Sequence, residues 1–203
     1  DFKISFERLG NSSWALFDFV KLDNISKEII SRMSSEEIYE KSLVWAEKFD
    51  KDSASLMKNN KEKFIQIFSI ERNELKARKD IGKWSDVKAE TEYFFDEWYS
   101  FDKSSLKETY PNLSESDISN ILAGFKETYN SDDTKEIWFE KIKNLCDSIW
   151  FASNIKEYKK APENFKWSIV EVTTILRLFL TGKTKTPDMY YIMKVLGKDK
   201  IFE

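Results

Sequence analysis

The chain has 203 residues, 41% hydrophobic and 15% aromatic, with 33 basic against 36 acidic side chains and a formal charge of −3. That composition supports a proper core in one domain or two small ones, and it disfavours a protein that binds polyanions regardless of sequence. Histidine is absent and cysteine occurs once, as Cys146, which excludes an internal disulfide, a cysteine-cluster metal site and the Ser-His or Cys-His pairs of nucleophilic catalysis.

Taken from the start, Asp1-Phe2-Lys3-Ile4-Ser5 has no methionine and no signal-peptide anatomy, so the sequence reads as a segment of a longer protein. Asn11-Ser12-Ser13 should interrupt the first segment before the apolar stretch Trp14 to Phe19. Ser34-Ser35-Glu36-Glu37 has the form of a helix start, a serine cap followed by acids in the first turn. Ile38, Leu43, Trp45, Ala46 and Phe49 can supply the buried side of that helix. A second helix is expected over 60–75, with Phe64, Ile67, Phe68 and Leu75 near one face, running into the charged stretch Lys76 to Asp80 and interrupted at Gly82. Trp84-Ser85-Asp86-Val87 restarts a helix towards Tyr93-Phe94-Phe95. Asp96 to Ser105 reads as a connector, which divides the chain into 1–100 and 101–203.

In the second part, helix starts are expected at Ser114-Glu115-Ser116-Asp117 and at Asp132-Asp133-Thr134, the latter leading through Trp138, Ile142, Leu145 and Ile149. Cys146 reads as a small core residue. From Trp167 to Leu180 apolar residues fall at 169, 172, 176 and 179, a helical stripe that Gly182 should end in a left-handed turn. Thr186 and Pro187 then look like a cap residue and a proline at the first helical position, opening a new helix through Tyr190, Tyr191, Met193 and Leu196 that stops at Gly197. Five glycines and three prolines leave little turn chemistry for a sheet protein. The expected fold is all-α, in two helical subdomains.

Charge is uneven along this plan. From Asn154 to Glu203 there are 10 Lys/Arg against 6 Asp/Glu, leaving 23 against 30 before, or +4 against −7, so a phosphate-facing surface is expected late in the chain. No apolar run approaches the roughly 20 residues of a membrane helix, so no membrane partner is expected, and a lone cysteine fits a reducing, cytoplasmic setting. At the late helix–loop–helix corner, Arg177 offers a rigid fork of donors suited to a base edge or phosphate. Thr186 puts a hydroxyl nine positions on, and helix-start N–H groups favour acceptor atoms. The guanidinium of Arg177 is expected to face solvent.

Three segments carry a resemblance. Ile175-Leu176-Arg177-Leu178-Phe179-Leu180-Thr181-Gly182 with Thr186-Pro187 and the closing Leu196-Gly197-Lys198 resembles the C-terminal signature of bacterial glutamyl-tRNA synthetases. Phe17-Asp18-Phe19-Val20-Lys21-Leu22 resembles that family's Phe-Asp-x-x-Lys-Leu segment after the catalytic region, although Asn24-Ile25-Ser26 replaces a common Trp-x-Asn. Trp84 to Phe95 is similar to a stretch ending in an aromatic run. The resemblance implies an all-helical cage that reads the anticodon of the tRNA for glutamate, cut from a monomeric ligase that activates glutamate with ATP and magnesium. Its HIGH-like and KMSKS-like motifs are absent here, so this segment should hold no cofactor and be inactive alone. In the family, positions matching Arg177, Thr186, Pro187 and Met189, helped by Thr174, contact the second and third anticodon bases. Asp188, Met189 and Thr174 stand where glycine, leucine and glutamine are frequent. Arg78, in the charged run before the aromatic stretch, is the candidate reader of the first base; a solvated charge cluster is the other reading of that run. Lys183, Lys185, Lys194, Lys198 and Lys200 are expected to face phosphates or simply solvent. Two alternatives remain open at this point: a freestanding helical interaction module, and the anticodon region of a lysyl-type synthetase.

Overall fold

The computed structural model describes residues 18–72, 77–100 and 104–202. The expectations for Asn11 to Phe17, Leu75 and Lys76 lie outside them. Helices α1 (Phe19–Ser31), α2 (Ser35–Phe49), α3 (Lys51–Asn59), α4 (Lys61–Ser69) and α5 (Asp86–Thr91) are followed by a 3-10 turn at Glu92–Phe94. Then come α6 (Ser104–Thr109), α7 (Glu115–Thr128), α8 (Lys135–Ser148), α9 (Ile155–Lys160), α10 (Ile169–Thr181), α11 (Met189–Leu196) and α12 (Lys198–Ile201). The sole β-type pairing among the described residues is one isolated bridge, Ala152 to Ser168. The fold is all-α.

Short polar side chains set most of the helix starts. Ser34 accepts from the Glu37 N–H at 3.1 Å while the Glu37 carboxylate accepts from the Ser34 N–H at 2.8 Å, a reciprocal capping box. Ser168 and Glu171 repeat the arrangement at α10, and Ser114 and Thr134 cap α7 and α8 where the sequence pattern put them. Each such cap is worth about 1 kcal/mol.

The helix expected over 60–75 is shorter than its apolar spacing suggested. It stops at Ser69, and Glu71 turns the chain at φ 54, a left-handed conformation that no residue of a continuing helix adopts. Gly82 is therefore not a helix terminator. Its carbonyl accepts from the Ser26 hydroxyl of α1, which ties α1 to the segment before α5.

Two apolar cores result. Ile38, Phe64, Ile67, Phe68, Tyr93 and Phe94 anchor the first, with the Phe64 and Phe95 rings stacked at 4.6 Å. The second is built on Ile121, Ile142, Cys146, Phe151, Val172 and Ile175. Helix α11 serves both, sending Ile192 and Leu196 into the first and Met189 and Met193 into the second. Side chains three and four apart on one helix project to neighbouring sectors, so an eight-residue helix that is apolar on two sides can join two cores. The corner between α10 and α11 is thereby held at the junction.

Candidate nucleic-acid interface

Helix α10 ends as its sequence requires. Gly182 takes φ 67 and returns its N–H to the Leu178 carbonyl at 2.8 Å. The Thr181 hydroxyl donates to the Arg177 carbonyl at 2.7 Å and accepts from the Lys183 N–H at 3.2 Å, which stiffens the exit. The next helix begins two residues later than Thr186-Pro187 suggested. Asp188 is the cap, accepting from the Tyr190 N–H at 2.9 Å, and Met189 is the first helical residue. Thr186 is not a cap because its hydroxyl is engaged elsewhere. It accepts from Arg177 Nε at 3.1 Å and donates to the Pro187 carbonyl at 2.9 Å.

That bond fixes Arg177 by one edge of its fork. No other hydrogen bond or ion pair to the Arg177 guanidinium occurs among the described residues, so both terminal nitrogens keep their donors. The side chain is half-buried and does not project freely, as the sequence reading had it. Burial lowers its pKa, opposed by the charge of Asp188 and by Tyr110. Thr174 lies one turn earlier on α10, partly exposed, with its hydroxyl donated to the Val170 carbonyl at 2.7 Å. Pro187 is buried, and Met189 is 3% exposed with its side chain in the second core. At these two positions the backbone is what can meet a ligand.

Arg78 is brought to the same place from the other core. A cleft of about 380 Å³ is lined by Glu71, Arg78, Lys79, Asp80 and Glu90 on one side and Lys185, Thr186 and Pro187 on the other. Arg78 is not part of a solvated charge cluster. Its side chain is 9% exposed, and Nε lies 2.5 Å from Asp80 Oδ2, side by side and out of line for a hydrogen bond. Its terminal nitrogens have no hydrogen-bond partner among the described residues. Glu71 joins the two walls: its carbonyl accepts from the Arg78 N–H at 3.4 Å and its carboxylate from the Asp188 N–H at 3.0 Å. Burial pushes the Glu90 carboxyl up, partly offset by Lys183.

Sequence reasoning missed Glu71, Asp80 and Glu90 as cleft residues. Glu71 gave no signal, because its role depends on a left-handed turn and on a partner more than a hundred residues away. The late lysines divide into two sets. Lys183 donates to the Ala89 carbonyl, Lys194 to the Ser131 carbonyl, and Lys200 pairs with Asp96, whereas Lys185 and Lys198 are exposed. The cleft carries three acids and three bases, so it offers donors and acceptors in near balance and little net attraction for phosphate.

Comparison with known proteins bears on this corner directly. The anticodon binding domain family matches residues 46–203, a span that includes both walls of the cleft. The chain belongs to that family. It is also similar over its whole length to glutamate-tRNA ligases of Acetivibrio thermocellus, at 34% identity, and Clostridium perfringens, at 32%. A glutamate-tRNA ligase of Sorangium cellulosum is 35% identical over 92% of the chain. The chain spans just over a third of the first two relatives' length, 36% and 37%, and corresponds to their C-terminal part. Among the described residues no helix is long and apolar enough to cross a membrane.

Proposed function

We propose that this chain is the tRNA-reading part of a glutamate-tRNA ligase, and that the corner between α10 and α11 reads the anticodon of the tRNA for glutamate. The observation that carries the reading is the Arg177–Thr186 bond. A guanidinium anchored through Nε presents two terminal N–H edges in a fixed plane, as recognition of a base edge demands and phosphate attraction does not. The near-neutral cleft beside it agrees, since a phosphate track would be lined by bases alone. Arg177 and Thr186 are assigned to the second and third anticodon bases, with Pro187 and Met189 acting through their backbone and Thr174 flanking. Arg78 is assigned to the first base across the cleft. The first hundred residues serve as the stem-contact and linker region with the first helical subdomain, and 101–203 as the second. ATP and magnesium would be handled by the remainder of a monomeric, cytoplasmic parent enzyme, which would charge the tRNA with glutamate. The names of the relatives favour the glutamyl over the lysyl type.

Arg177→Ala tests this. Binding of an anticodon stem-loop hairpin of the tRNA for glutamate should weaken by about 1–3 kcal/mol with little change in fold stability, by analogy with arginine readout of bases in DNA. Arg177→Lys should recover only part of it. A hairpin substituted at the second or third anticodon base should be nearly insensitive to the change. Equal weakening of both hairpins would reduce Arg177 to a backbone contact.

A further inference from the structure

Trp150 is the residue whose presence the fold does not explain. Helix α8 ends at Ser148, and the Phe151 N–H returns to the Cys146 carbonyl at 2.9 Å, the long-range bond of a Schellman turn. Trp150 therefore occupies the left-handed position of that turn, at φ 63. Glycine is the usual occupant there, and a bulky aromatic residue is strained. Packing offers no compensation, because Trp150 is 75% exposed and its indole has no ring, cation–π or hydrogen-bond partner among the described residues. The other left-handed non-glycine residue among those described, Glu71, uses its side chain to hold Asp188; the Trp150 indole holds nothing among the described residues. Strain of this kind without an internal use points outward.

The surroundings indicate what the ring meets. The Trp150 carbonyl accepts from the Lys166 N–H at 3.1 Å, so the backbone of this turn is tied to the end of the segment from Asn154 to Lys166. In that segment α9 buries no residue and exposes Lys156, Lys159 and Lys160. Aromatic faces set among lysines suit single-stranded nucleic acid, whose bases stack while the backbone follows the charge. The same turn also adjoins the start of α10, where the Ile169 N–H bonds the Ala152 carbonyl at 2.8 Å. From Ser168 to Arg177 the helix rises about 13 Å. Val170, Thr173, Thr174 and Arg177 recur on one exposed or half-exposed side of it, a continuous path between the two sites.

We infer that Trp150 is a stacking platform for an unpaired base next to the anticodon, with the α9 lysines along the adjoining phosphates. This rests on the anticodon-reading proposal, and the test separates the two. The same anticodon stem-loop hairpin is titrated into the full chain and into Trp150→Gly, Trp150→Phe and Arg177→Ala variants, with thermal unfolding measured in parallel. Trp150→Gly should have a Tm at or above the parent's, since glycine relieves the turn, yet bind the hairpin about 5- to 150-fold more weakly, the range for loss of one stacked base. Trp150→Phe should retain most of the affinity, and indole emission quenched by the hairpin in the parent should be lost in that variant. A Trp150→Gly variant that binds like the parent overturns the inference and leaves the ring to a protein partner. A lowered Tm overturns it too, by making Trp150 a packing residue. If the parent fails to bind the hairpin, or binds it without regard to Arg177, the anticodon-reading proposal itself falls.

Discussion

Arg78 lines the cleft and Arg177 is bonded to the Thr186 wall of the same cleft, yet the protein holds the two guanidinium groups in opposite ways. Arg78 is nearly buried, pressed against Asp80, with its terminal nitrogens short of hydrogen-bond partners. Arg177 is half-buried and makes one side-chain bond, through Nε to the uncharged Thr186 hydroxyl. The first arginine is tied to the integrity of its own subdomain and can read a base only where its buried donors are reached. The second is tied to its neighbours by that one side-chain bond. The same chemical group at one cleft is thus held differently according to what lies behind each side chain.

The largest effect that could break this contrast is on stability at Arg78. Arg78→Ala leaves Asp80 without its partner in a site only 21% exposed on the Asp80 side chain, and should destabilise by about 3 kcal/mol, the lower end for broken buried pairs. Denaturant melts should show much of that loss restored in the Arg78→Ala, Asp80→Ala double variant. A melt for Arg78→Ala that matches the parent's would make the two arginines equivalent.

A smaller effect is expected at Thr186. Thr186→Val keeps the shape but removes the acceptor for Arg177 Nε, and should weaken hairpin binding by about 1 kcal/mol, the worth of one ordinary hydrogen bond. Calorimetric titration would measure it. Affinity unchanged from the parent would show that the fork needs no anchor.

Glu90 should give the smallest effect, and one that varies with pH. Its carboxyl is raised by burial, so the folded chain holds that proton more tightly than the unfolded chain. The favourable contribution is complete below the ordinary carboxyl pKa and is lost as pH rises through the raised value. Glu90→Gln should therefore match the parent's Tm in acid and exceed it at neutral pH. It should also bind the hairpin slightly more tightly at neutral pH, because one acid has left the cleft. A Tm difference independent of pH would place the effect elsewhere.

How much of this was legible depended on distance along the chain. Caps at Ser34, Ser114 and Thr134 and the glycine stop at Gly182 are decided within a few residues, and they stand where the pattern put them. Arg177 and Thr186 were singled out as a pair, though Thr186 was misread as a cap because its hydroxyl had a tertiary partner that local chemistry cannot reveal. Asp188, the residue that looked out of place, is the actual cap and also pairs with Lys135 at 2.6 Å. The helix over 60–75 failed at Glu71, where a left-handed turn defeats the apolar spacing. Of the tryptophans among the described residues, the one left exposed is Trp150, and nothing in the local apolar spacing marks it off from its buried neighbours.

Helix α11 has a further consequence, for the order of events at the ribosome. Ile192 and Leu196 complete a core whose other buried members end at Phe95, so the earlier half of the chain leaves the exit tunnel with a gap in its apolar interior. It must wait, at a synthesis rate of roughly 5–20 residues per second, for several seconds until α11 arrives. During that interval both halves expose the surface that α11 will cover. The junction that holds the cleft in register therefore closes only after α10 and the first core's earlier helices have been made.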